Sequence, residues 1–289
     1  MNTSLILDHV VLVVGELPPA IRQFNQMGFT VTPGGVHAGG LTHNALVAFA
    51  DGTYVELLGT TRRAKQNLLI LLRRTGLLRL YTARDNAFDR RFKTGVASGS
   101  GLSDYCLLSS NLDLDMPTIL RRGLILDGPI IGGRLRPDGE RVSWRTAVPP
   151  TVDLPFLIDD ITPRQLRVPI PPPDGHPNQV IGIAGITLGV QNLEASTGQF
   201  RSLIGTEPDS TSHFPLPGVQ SIEFPLGDTR IGFIQPGRAL PTMRKTVGRR
   251  RARPLIIWLL SSSTEPSGLL GLSYLPGKGV TLSRGNPFS

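Results

Sequence analysis

Two polar side chains stand where apolar ones are expected. His9, beside Asp8, interrupts the apolar run Leu5–Val14, and Glu56 sits in Tyr54-Val55-Glu56-Leu57-Leu58. A histidine inside an apolar strand is either hydrogen-bonded in the core or ligates a metal. A lone buried carboxylate is costly without a cation. Placed on neighbouring strands and pointing to one side, the two would form half of a divalent-metal site.

Other candidates surround this pair. The segment Gly34–Asn44 carries His37 and His43 among glycines. His43 leads a strand beside that of Glu56 and could reach the same cavity as a ligand or proton carrier. His37 is placed on a Gly-rich bend that can bring backbone close to a substrate, with Asn44 nearby. The plainer readings are a surface histidine at 37 and a strand-capping hydrogen bond at Thr42-His43-Asn44. Arg134 and Arg136 lie in Gly132–Gly139 and could hold a carboxylate or phosphate in bidentate fashion, with Trp144 as a pocket wall. The alternative there is a hairpin turning at Asp138-Gly139 with Trp144 in the core. His176 and His213, in Pro-rich loops, are read as surface residues, and Cys106, in an apolar run, as a buried inert thiol.

These residues need elements to position them. The sequence predicts strands over Ile6–Val14, Phe29–Pro33, Asn44–Ala50 and Thr53–Leu58. A helix running from Leu17 to Gly28 follows the first strand, with Pro18-Pro19 in its first turn and Gly28 ending it. Asp51-Gly52 marks a hairpin. This is one βαβββ unit. Residues 60–100 break the pattern, with helical character over Leu68–Leu80 and a small-residue linker at Ala97–Gly101. The pattern then returns: Leu17 to Gly28 spans 11 positions, Leu112 to Gly123 spans 11, and His9 falls on Asp104 at the same offset of 95. A third copy starts at Ile181, with Gly185 and Gly232 at the positions of His9 and Glu56. A fourth may start at Leu255–Ser261 but is poorly patterned. The Pro-rich stretch Pro163–His176 reads as a boundary between residues 1–170, holding two modules, and 171–289, a degenerate second region with an irregular basic C-terminal part. The fold class is α+β, with repeated modules forming cupped mixed sheets.

The segment Gly-Gly-Val-His followed by Thr-His-Asn-Ala, and the Gly132–Gly139 segment with Trp144, resemble the glyoxalase-like family of the vicinal-oxygen-chelate superfamily. The resemblance runs from about Leu7 to about Val168. It implies a divalent-metal-dependent enzyme of lyase, isomerase or dioxygenase type acting on a small oxygenated metabolite. Each module would lend one metal ligand from its first strand and one from its last. Here that gives His9 and Glu56, with Asp104 and no fourth. The incomplete set supports an alternative within the same superfamily, a metal-free protein that binds and sequesters a small molecule.

Composition narrows the classes further. Only one cysteine is present, so no intrachain disulfide forms, and a reducing, cytoplasmic setting is expected. No apolar run reaches the roughly 18 residues of a membrane helix, and no membrane partner is expected. The net charge of +8 is concentrated in Arg244-Lys245 and Arg249–Arg251 with Arg253. No aromatics interleave with them, so a solvated loop is favoured over a nucleic-acid surface. Neither a phosphate-binding glycine loop nor a nucleophile elbow occurs.

Overall fold

Strand β1 (Ile6–Val13) is buried from Leu7 onward. Its alternate residues serve two interiors: Val10 and Leu12 join the main core, and Val11 and Val13 face the other way. Helix α1 (Leu17–Gln26) follows, with proline in its first turn, and Gly28 (φ +81°) lets the Phe29 N–H turn back onto the Phe24 carbonyl at 3.0 Å. This closure pins Phe29 in the core. Strand β2 (Thr32–His37) therefore begins later than Phe29 and runs through His37, which stands on a strand and not on a bend. Strands β3 (Thr42–Ala48) and β4 (Tyr54–Thr60) complete the unit. The computed structural model describes residues 5–209, 219, 221–235, 253–262, 269–275 and 279–284. His213 and the basic run 244–251 lie outside the described residues.

The second unit repeats the first. Strand β5 (Gly101–Leu108), helix α5 (Leu112–Arg121) and strands β6 (Asp127–Leu135), β7 (Arg141–Val148) and β8 (Phe156–Asp160) follow in order. The two units close one barrel in the order β1-β4-β3-β2-β6-β7-β8-β5. The register carries the internal symmetry: His9 pairs with Cys106 as Val11 pairs with Asp104, and Val11 meets Glu56 as Cys106 meets Phe156. His9 and Asp104 are thus equivalent, and Phe156 holds the place of Glu56. At the β2–β6 seam a side chain on Gly35 (φ +133°) would begin 2.1 Å from the Leu135 carbonyl oxygen, so closure requires glycine there.

Between the units lies a helical insertion. It consists of α2 (Arg63–Arg74), α3 (Leu78–Tyr81) and α4 (Ala87–Val96), where one helix over 68–80 was expected. Asn86 caps α4 by accepting from the Asp89 N–H at 2.8 Å. Leu69, Leu78 and Val96 of the insertion pack on Val11, Val13 and Leu58, plugging one end of the barrel.

A second sheet runs β10-β11-β9-β12-β13-β14. Its elements are β9 (Val180–Gly189), α7 (Leu193–Ile204), β10 (Ser221–Leu226), β11 (Thr229–Ile234), β12 (Arg253–Ser261), β13 (Leu269–Leu275) and β14 (Gly279–Arg284). Thr187 pairs with Gly232 as Val11 pairs with Glu56, so the third copy shares the register but carries no donor there. Regular strands β12 to β14 occupy the C-terminal stretch in which the sequence showed no convincing period. One hydrophobic core joins barrel and sheet, with Leu12, Phe24, Ile119, Phe200, Ile186 and Leu272 among its members. The connection between them is not a plain linker. Helix α6 (Arg164–Arg167) forms in it, and His176 is buried. His176 is no surface residue: Nδ1 accepts from the Thr30 N–H at 3.0 Å and Nε2 donates to the Ala48 carbonyl at 3.0 Å. Burial lowers its pKa and the Ala48 bond opposes that, leaving the ring neutral near pH 7.

Candidate functional site

Hairpin register decides which polar groups meet. Ala48 faces Tyr54, Leu46 faces Glu56 and Asn44 faces Leu58 across β3–β4. Residues directly opposite share a face of the sheet. Asn44, Glu56 and Tyr54 therefore look into the barrel, while Ala45, Val47, Val55 and Leu57 look out to the main core. His43 lies on the outward parity. A side chain built on Gly59 would begin 3.1 Å from His43 Nε2 and 3.0 Å from Leu17, so the imidazole sits on the α1 side of the sheet, away from the cavity. Its expected part in the site has no geometric support.

On β1 a bulge adds one residue between Leu7 and His9. Leu7 stays in the outer core and Asp8 turns inward with His9. Asp8 Oδ2 lies 2.7 Å from His9 Nδ1. The carboxylate holds a proton on Nδ1, and Nε2 faces Glu56 Oε2 at 3.7 Å. His37 enters from β2, with Nε2 at 3.5 Å from Glu56 Oε1 and Nδ1 at 3.0 Å from Thr42 Oγ1. Asn44 Nδ2 donates to Glu56 Oε1 at 2.6 Å, while Asn44 Oδ1 is buried without a hydrogen-bond partner. Burial lowers the pKa of His37 more than the Glu56 charge raises it. Its imidazole is neutral at pH 7, as a ligand must be.

Asp8 is fixed in turn by Arg167 of α6. Nη1 donates to Asp8 Oδ2 at 2.8 Å and Nη2 to Oδ1 at 3.2 Å. The same guanidinium donates to Asp160 Oδ2 at 3.0 Å and to the Tyr54 hydroxyl at 2.8 Å, and Arg164 also reaches Asp8. Burial would raise the Asp8 pKa; Arg167 and His9 outweigh it and hold the carboxyl well below the usual range. Tyr54 stacks on the His9 ring at 4.5 Å and Phe156 meets it edge-on at 5.6 Å. Among the described residues, Asp8, His9 and Cys106 also offer donor atoms within 4.8 Å of one another. Asp8 is committed to two arginines and burial pushes the Cys106 thiol up, so this group orients His9.

His9, His37, Asn44, Tyr54, Glu56 and Arg167 line a cavity of about 380 Å³. Its apolar lining includes Trp144, Phe156, Phe92 and Ile158, with Phe92 and Trp144 edge-on to the His37 ring at 5.7 and 6.3 Å, and the Trp144 indole lies over Gly132, where a side chain would begin 2.5 Å from Nε1. Asp104 lines it too, but both of its oxygens are taken by Arg91 of α4, at 2.7 and 2.6 Å. It forms an ion pair in the wall, and Oδ1 also accepts from the Tyr105 N–H at 2.9 Å. Arg134 lines the cavity, is buried, donates through Nη2 to the Arg167 carbonyl and leaves Nε without a partner. Arg136 points away and pairs with Asp138 at 2.7 Å. Sequence reasoning missed Arg91, Phe92 and Arg167. Asn86 with Asp89 three residues on is a helix-start signal that could have found α4; Arg167, in a Pro-rich stretch, carried no such signal.

Two βαβββ modules closed around an internal polar cavity define the vicinal-oxygen-chelate fold. The chain belongs to the family described as "Glyoxalase-like domain", whose model matches residues 7–204. Its fold is similar along nearly its whole length to a hypothetical protein from Staphylococcus aureus, at TM-score 0.63 and 12% identity, covering 96% of this chain and 98% of that one. A mutant 4-hydroxymandelate synthase from Streptomyces coelicolor is similar at TM-score 0.54 and 9% identity, covering 91% of this chain and 72% of that one. A xylose isomerase-like TIM barrel/4-hydroxyphenylpyruvate dioxygenase fusion protein matches at TM-score 0.51 and 11% identity, over 91% of this chain and 38% of that one. No curated protein sequence matches the chain. Among the described residues no helix is long and apolar enough to cross a membrane.

Proposed function

We propose that the chain is a divalent-metal-dependent enzyme acting on a small oxygenated metabolite that carries negative charge. The observation behind this reading is the approach of His9 Nε2 and His37 Nε2 to the two oxygens of Glu56 on one wall of the cavity. Two imidazoles and one carboxylate are a donor set for a first-row divalent ion with positions left open for substrate. The orphaned Asn44 Oδ1 beside them marks a polar spot that the protein alone does not satisfy. His9, His37 and Glu56 would hold the ion, which when bound supplies Lewis acidity toward a substrate oxygen.

The remaining residues orient and exclude. Asp8 keeps the His9 proton on Nδ1, and Asn44 holds Glu56 through Oε1. The Arg134 guanidinium, which lines the cavity, would pair with a negative oxygen of the substrate, where a charge-assisted hydrogen bond is strong because water is scarce. Phe156 and Trp144 supply the dry wall.

A metal-free sequestering protein is the second reading. It is favoured by the second module, which places Phe156 at the position of Glu56 and ties Asp104 to Arg91. Metal analysis of protein purified without chelator separates the two. The enzyme reading expects about one divalent ion per chain, lost at least tenfold in Glu56→Gln and His37→Ala with the fold retained. His43→Ala should keep the ion within about twofold, because its ring lies outside the barrel. A chain that takes up none of manganese, iron(II), cobalt, nickel or zinc would leave only the sequestering reading.

A further inference from the structure

The helical insertion has an outer face that the catalytic reading does not use. Leu69 and Leu78 pack inward on the barrel end, whereas Leu68, Leu71, Leu77, Leu80 and Tyr81 are exposed. Leu71 is 58% exposed and Leu80 74%. On α2, Ala64, Leu68 and Leu71 fall at i, i+4 and i+7, one stripe of the helix turned to solvent. Exposed leucines are common one at a time; five large apolar side chains within fourteen residues are not.

Charge decides what covers this face. Positions 62–84 carry seven arginines and lysines and no aspartate or glutamate. Arg63 pairs with Glu16 at 3.0 Å, while Arg74, Arg79 and Arg84 are exposed beside the leucines. Two copies of the chain meeting through this face would bring like charges together. A nucleic acid would satisfy the cations and leave the leucines in water. An anionic lipid surface satisfies both: acyl chains take the leucines and headgroups take the guanidinium groups.

We propose that the α2–α3 face docks the protein on anionic membrane surfaces, lying on the bilayer without crossing it. The same insertion closes the cavity: Leu69 and Val96 pack with Val13 and Leu58, and Val13, Leu58 and Val96 also line the pocket. Docking would therefore set the wall of the site against lipid, where an amphiphilic substrate is concentrated.

Vesicle co-sedimentation of the full chain tests this. The protein should pellet with phosphatidylcholine vesicles containing about one-third phosphatidylserine and stay in the supernatant with phosphatidylcholine alone. Leu71→Asp with Leu80→Asp, and separately Arg74→Glu with Arg79→Glu, should each weaken binding at least roughly tenfold with thermal unfolding unchanged. Single Leu71→Ser and Leu80→Ser variants should show smaller, graded losses if the double variant folds poorly. Three results would overturn the proposal. They are no pelleting of the wild type with anionic vesicles, full pelleting of the leucine variants, and a fall in lipid-free molecular mass on leucine substitution, which would show the face covered by a second copy.

Discussion

Arg167→Met is expected to destabilise the protein by about 3–5 kcal/mol, the loss seen when one partner of a buried ion pair is removed. Arg167 is 1% exposed, and its guanidinium donates to Asp8, Asp160 and Tyr54 at once. Methionine fills much of the space but leaves Asp8 at 0% exposure with its main counter-charge gone. Pairing the change with Asp8→Asn should recover part of the loss, since the stranded charge disappears with its partner. The pH dependence follows from the sign of the Asp8 shift. In the wild type its folded pKa lies below the unfolded value of about 3.9, so its contribution is present above that pH and fades only as pH falls through the lower folded value. In Arg167→Met burial raises the carboxyl instead, and protonation then relieves the folded state. The gap between the two proteins in urea unfolding should start to narrow above about pH 4, as the raised carboxyl of the variant protonates, and narrow further below it, as the wild-type carboxyl does. A gap constant from pH 7 to pH 3 would mean that Arg167 acts through packing alone.

Arg134→Leu should cost ligand affinity and little stability. Burial lowers the pKa of this arginine, and it lines the cavity, so the folded chain holds a partly desolvated positive charge there that an anionic ligand would offset. Removing it should weaken small carboxylic acids by roughly 100-fold, about 2.8 kcal/mol, and barely change their primary amides. Calorimetric titration of a panel of acids paired with their amides reads this directly. If acid and amide lose affinity equally, Arg134 supports the wall and does not recognise charge.

Much of the barrel was legible because the chain says it twice. The equal intervals from Leu17 to Gly28 and from Leu112 to Gly123 placed both first strands and both helices, and the structure puts His9 and Asp104 at matching positions. The histidines were harder. Choosing His37 over His43 needs the β3–β4 register; Asp51-Gly52 fixes it, since Phe49 and Thr53 close the hairpin and put Asn44, not His43, on the face of Glu56. The bulge at Asp8 was not readable, because one extra residue leaves no mark in an apolar run. Arg91 and Arg167 come from segments outside the repeat, and their roles depend on long-range packing that local sequence does not encode.

The exchange of Glu56 for Phe156 across the internal two-fold has a stereochemical consequence. A barrel whose halves carried the same groups would accept a ligand equally in either of two orientations. Here one wall presents His9, His37 and Glu56, and the other presents Phe156, Trp144 and Ile158. A ligand in the cavity would therefore meet different groups on its two sides. Any discrimination of handedness would thus come from side chains that differ on a backbone that is nearly symmetric.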